Sequence, residues 1–135
     1  MARECALEVL YRLDLVNDEP ENTMEEIVSR KNPCQDAEDY LRRLVAAVVT
    51  NQKEIDAMLR RHLRRWRLER LTVLDRAILR LATAELLSFS DVPPKVSINE
   101  AVEVSKKYGD DDSGKFVNGV LDGVFRELQK GPVKE

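Results

Sequence analysis

Between Cys34 and Val92 the chain contains neither glycine nor proline, and all five glycines stand at or after Gly109. A stretch that long without a breaker, rich in Leu, Ala, Arg and Glu, is helical. These side chains lose little rotamer freedom in a helix, and nothing interrupts the hydrogen-bond ladder. No segment alternates apolar and polar residues with period two between turn residues, so no sheet is expected. The expected fold class is all-α, with about seven helices in two small packed bundles. The bundles divide as residues 1–66 and 67–135, because the apolar pattern breaks between Trp66 and Leu71.

Local signals place the helices. The first runs from Ala2 to Val16, with Ala6, Val9, Leu10 and Leu13 at core spacing, and ends at Asn17-Asp18-Glu19-Pro20. A short helix is expected from Met24 to Ser29. Asp36 is the expected N-cap of the next, which carries Leu41, Leu44, Val45 and Val48. The pattern resets at Thr50 to Asn51 and resumes as Ile55, Leu59, Leu63 and Trp66. Thr72 and Asp75 form a T-x-x-D cap for a helix carrying Leu74, Ile78, Leu81, Ala82 and Leu86. Ser97 and Glu100 form an S-x-x-E box for the helix through Tyr108, and Gly109 is its C-cap. Asp112 or Ser113 is the expected cap of the last helix, whose stripe is Val117, Val120, Leu121, Val124 and Leu128.

Composition narrows the function. With 43% hydrophobic and 35% charged residues, the chain fits a soluble helical protein. No apolar run approaches the ~20 residues of a membrane span, and Met-Ala-Arg-Glu-Cys is no secretory leader. A cytoplasmic protein with no membrane partner is expected. Cys5 and Cys34 have no metal-ligand spacing and His62 is the one histidine, so neither metal nor other cofactor is expected. No P-loop, GxSxG or HExxH is present, and nothing assembles a nucleophile with a base, so the chain reads as a non-enzyme.

Charge is unevenly spread behind a net value of −3. Residues 18–39 carry eight carboxylates, and residues 60–70 carry six arginines. Arg60, Arg64 and Arg67 would share one helical face. They read either as a phosphate-binding patch or as a solvated face paired with the acidic segment or other nearby carboxylates. Glu85 falls on the apolar face of its helix and calls for structural hydrogen bonds. Phe116 lies roughly 100° to one side of the last helix's core stripe, with Gly119 and Gly123 beyond it. Beside an acidic loop and Lys115, such a ring either stacks on a base or rims the core.

Three blocks then carry a resemblance: ARECALEVLY from Ala2 to Tyr11, WRLERLTVLDRAILRLATAELL from Trp66 to Leu87, and VPPKVSINEAVEVSKKYG with SGKFVNGVLD from Val92 to Asp122. Over nearly its full length the chain resembles the NusB family of bacterial transcription antitermination factors. The resemblance implies two perpendicular helical bundles, a protein partner in the ribosomal protein NusE, and binding of boxA RNA within an RNA polymerase antitermination complex, notably on ribosomal RNA operons. It places RNA contacts at Arg3, Tyr11, Asp112, Ser113, Lys115 and Phe116, and a NusE contact at Asp75. Family members often begin with an arginine-rich arm, of which only Arg3 is present here. This implies either a truncated start or a shallower salt dependence of RNA binding. The rival readings are a protein-interaction module without RNA binding and a detached helical domain of a ribosomal RNA cytosine methyltransferase. Monomer and homodimer are both left open.

Overall fold

The computed structural model describes residues 2–130, and within them every regular element is helical. The order is α1 (Ala2–Leu15), α2 (Pro20–Lys31), α3 (Gln35–Thr50), α4 (Gln52–His62), a 3-10 turn (Leu68–Arg70), α5 (Val73–Ser88), α6 (Pro94–Tyr108) and α7 (Asp111–Gln129). The seven expected helices are present. None of the described helices is long and apolar enough to cross a membrane.

The expected start signals meet mixed outcomes. Thr72 does cap α5, its hydroxyl oxygen accepting from the Asp75 N–H at 3.1 Å. Ser97 does not cap α6, which begins three residues earlier with Pro93 at the N-cap and Pro94 at the first helical position. Proline wins there because its φ is already helical and its missing N–H would have had no partner. The same physics lengthens the second helix. Pro20, expected only to end the first, opens α2. That helix closes on Asn32, which takes the left-handed conformation (φ 47°) that asparagine tolerates better than most residues. Cys34, not Asp36, precedes α3, leaving Asp36 in the first turn, where its charge complements the helix dipole.

The fourth helix also departs from expectation. It stops at His62 and does not continue through Trp66, which is 58% exposed. Continuation would stack Arg60 on Arg64 and Arg61 on Arg65 at like-charge i,i+4 spacing. Stopping instead leaves Arg60 and Arg61 in the last turn, opposite the negative end of the dipole. The shared face expected for Arg60, Arg64 and Arg67 therefore does not form.

α5 is the central element, packed against α1, α3, α4, α6 and α7. Its run from Ala77 to Glu85 is buried almost without interruption, the pattern of a helix surrounded by neighbours rather than lying on a surface. One apolar cluster, including Leu44, Ile55, Leu79 and Leu121, draws on all seven helices. Each such leucine or isoleucine contributes about 1.5–3 kcal/mol through its burial.

Charged side chains lock the periphery of α5. Arg80 bonds both carboxylate oxygens of the buried Asp56 on α4, at 2.9 and 3.0 Å. Arg76 pairs with Asp14 of α1 at 2.7 Å and donates to the carbonyls of Leu68 and Leu71, each at 3.2 Å. One guanidinium thus holds α1 and the loop after α4 together. Glu85, 1% exposed, accepts from Arg3 Nε at 2.8 Å and from the Tyr40 hydroxyl at 2.5 Å. Burial first, and this bond second, push the Tyr40 phenol well above its usual pKa. The expected structural role of Glu85 is thereby met. The acidic 18–39 segment pairs with Arg12, Arg30 and Arg42 and not with the 60–70 cluster, whose Arg60 and Arg61 find Glu69 and Glu127 instead.

Candidate nucleic-acid interface

The turn from α6 into α7 is built by close backbone approach. A Cβ on Gly109 would lie 2.8 Å from both the Ser105 carbonyl and the Ser113 hydroxyl, so only glycine lets the two helix ends meet. Asp110 then caps α7, its carboxylate accepting from the Ser113 N–H at 2.8 Å. That bond holds the Asp110 carboxyl below its usual range. The cap is thus Asp110 and not Asp112 or Ser113, which leaves Asp112 exposed in the first turn and Ser113 half-buried.

Lys115 is exposed, whereas Phe116 is half-buried and packs against the edge of the apolar cluster. The ring therefore rims the core. One turn further on, Gly119 is exposed, and the space its missing side chain would fill is empty to 4 Å. The first two turns of α7 consequently present a cation, part of an aromatic ring and a strip of bare backbone.

α5 packs against α7, and a groove opens between α1, the start of α5 and the end of α6. Tyr11 (38% exposed) and Tyr108 (54% exposed) line this groove of ≈ 590 Å³ with Leu74 and Lys31. Lys107 pairs with Glu4 at 3.0 Å and lies 5.2 Å above the Tyr108 ring, tying the end of α6 to the start of α1. Asp75, next to Leu74, is half-buried. Burial raises its carboxyl above the usual range, a hydrogen bond from Thr72 opposes the shift, and the charge of Asp110 adds to it. The N-termini of α5 and α7 are therefore electrostatic neighbours. Tyr11 thus borders Leu74 and Tyr108 in the groove, and Asp75 lies electrostatically close to Asp110 at the turn into α7.

Arg3 stands apart from that group. Its Nε is held by Glu85 and its guanidinium lies 5.8 Å from the Tyr40 ring, leaving the side chain a quarter exposed. The run Asp110-Asp111-Asp112 fails calcium spacing and reads from sequence as loop and helix cap, the role Asp110 fills; Tyr108 carries no sequence signal for a site. Tyr108 continues the spacing of Ile98, Ala101 and Ser105 and looks like a core position, but it falls at the helix end, where little covers it. Among the described residues no group of His, Cys, Asp or Glu is arranged to hold a metal ion.

Comparison with known proteins gives the family. Residues 1–126 match the NusB family. The transcription antitermination protein NusB of Geobacillus kaustophilus is 46% identical over 129 residues, covering 96% of this chain and 96% of its own length. That of Bacillus licheniformis is 42% identical over 128 residues, covering 95% and 96%. A crystal structure of the antitermination factors NusB and NusE in complex with dsRNA contains a chain 38% identical to this one. That chain superposes with a TM-score of 0.87, over 93% of this chain and 94% of its own. With fold and sequence agreeing over almost the whole length, this chain belongs to the NusB family.

Proposed function

We propose that this chain is a non-enzymatic, cytoplasmic transcription antitermination factor that pairs with ribosomal protein NusE and binds boxA RNA. In this role it joins an RNA polymerase antitermination complex and promotes read-through, notably in ribosomal RNA operons. The observation that carries the reading is the 38% identical relative crystallised with NusE and double-stranded RNA, together with the mixed cationic and aromatic surface at the start of α7.

In this proposal Lys115 neutralises phosphate, the exposed part of the Phe116 ring stacks on a base, and Asp112 and Ser113 exchange hydrogen bonds with base or sugar. Tyr11 extends the surface from α1. Arg3 contributes only the part of its guanidinium that Glu85 leaves accessible. Asp75 faces NusE. Binding of a boxA oligonucleotide, followed by filter retention or fluorescence anisotropy with and without NusE, tests the whole reading. Retention of NusE without any RNA binding would favour a pure protein-interaction module.

Two substitutions separate fold from function. Gly119→Ala is expected to raise stability by about 0.5–1 kcal/mol, because an exposed helical glycine is replaced where a methyl meets nothing. The same methyl intrudes on the strip beside Phe116, so RNA affinity is expected to fall. Parallel thermal melts and anisotropy titrations check both signs, and unchanged affinity would remove Gly119 from the interface.

Asp75→Asn tests the partner contact. The folded carboxyl is raised, chiefly by burial, so its charge opposes folding at pH above the folded pKa. That penalty is relieved as pH falls through the folded pKa. The neutral variant should therefore be as stable as the parent or more so at pH 7, yet dock NusE more weakly. Calorimetric titration with NusE decides the point; full affinity in Asp75→Asn would exclude the contact.

A further inference from the structure

The loop between α4 and α5 carries cations that the fold itself does not use. Arg60 bridges to Glu69 at 2.7 Å and Arg61 to Glu127 at 2.5 Å. Glu69 is held below its usual range first by Arg60, with a smaller contribution from Arg67. Arg64, Arg65 and Arg70 are exposed, and among the described residues no carboxylate lies within ion-pair distance of them. Amid them Trp66 exposes 58% of its surface and lines a groove of ≈ 400 Å³ with Leu63, Arg67 and Arg70. A large ring left in water between unpaired guanidinium groups has the makeup of a single-strand nucleic-acid platform: cations track the phosphates and the ring accepts a base.

The loop is not mobile bait for any passing anion, because it is anchored. Arg76 holds the carbonyls of Leu68 and Leu71. His62 packs where Gly123 lacks a side chain, and its Nε2 lies 2.7 Å from Glu127. The loop therefore starts beside the C-terminal half of α7, about two to three turns and roughly 10–16 Å from Phe116 along the helix.

We propose that residues 63–70 form a second RNA-contact surface, in which Arg64, Arg65 and Arg70 neutralise phosphates and Trp66 stacks on a base. This rests on the RNA-binding function proposed above and extends its footprint. A stacked strand advances roughly 3.4 Å per phosphate, so RNA seated at Phe116 reaches the loop only about three to five nucleotides further on.

The chain has one tryptophan, so its fluorescence reports on this loop. The probes are a boxA oligonucleotide and the same RNA extended by about ten nucleotides at each end, titrated into the protein with and without NusE. Trp66→Phe serves as the fluorescence blank. The extended RNA is expected to quench Trp66 and to bind more tightly than the short one. The triple variant Arg64→Gln, Arg65→Gln, Arg70→Gln should lose that advantage while binding the short RNA unchanged. Three lost single-strand phosphate contacts remove roughly twentyfold of the affinity change between 50 and 200 mM salt. Unchanged tryptophan emission with the extended RNA, or a triple variant that still binds it with parental affinity and salt slope, overturns the second surface while leaving the first intact. Failure of the parent to bind either RNA with NusE present overturns both.

Discussion

Alanine in place of Arg3 is expected to lower the stability of the fold by about 3 kcal/mol, the lower end of the cost of breaking a buried ion pair. Glu85 is 1% exposed, and without Arg3 it keeps only the Tyr40 hydroxyl as a charge-stabilising partner. The loss is placed at the lower end because that hydroxyl remains and because the Arg3 side chain is 26% exposed. Urea unfolding should show the midpoint falling with its slope unchanged. Replacing the whole cluster, as Arg3→Met, Tyr40→Phe and Glu85→Leu, should recover most of the loss, since well-packed apolar groups often replace buried charges without penalty. A midpoint unmoved by Arg3→Ala would mean that the pair contributes nothing. The prediction also guards the functional reading, because weaker RNA binding by Arg3→Ala counts as a lost contact only after its stability has been measured.

Phe116→Ala is expected to weaken RNA binding by about 1–3 kcal/mol, the range for removing an aromatic platform from one base, or roughly 5- to 150-fold in Kd. The ring also packs against the core edge, so the alanine variant loses some stability as well. Phe116→Leu resolves the two effects. It keeps most of the packing and lacks a π face, so it should remain folded near the parental level and still bind RNA poorly. Anisotropy titrations well below the unfolding midpoint make the comparison. Parental affinity in both variants is incompatible with stacking at this position.

The helices were largely legible because their signals are local. Periodicity locates Ala6, Val9 and Leu10 in α1 and Val117, Leu121 and Val124 in α7, all buried, and the T-x-x-D pattern marks the Thr72 cap that forms. Boundaries failed where two local signals competed. Proline at the first helical position outranked the Ser97–Glu100 box, and like-charge repulsion ended α4 before the apolar spacing ran out. What the sequence could not show are pairings set by tertiary geometry. Arg3 with Glu85, Arg61 with Glu127 and the neighbouring charges of Asp75 and Asp110 join residues far apart in the chain. For the same reason the half-buried state of Phe116 was undecidable from its angular position. A ring beside the core stripe either folds against the rim or stands clear of it, and the neighbouring helices decide which.

The clamp formed by Arg76 has a consequence for the proposed RNA complex. With one edge of its guanidinium on Asp14 and the other on the carbonyls after Leu68, α1 and the arginine-bearing loop cannot drift relative to each other. The two margins of the molecule behave like the jaws of a fixed caliper. A flexible strand bridging the two proposed surfaces would conform to their spacing, so the conformational freedom surrendered on association would be the strand's own, the protein having given up its share when it folded.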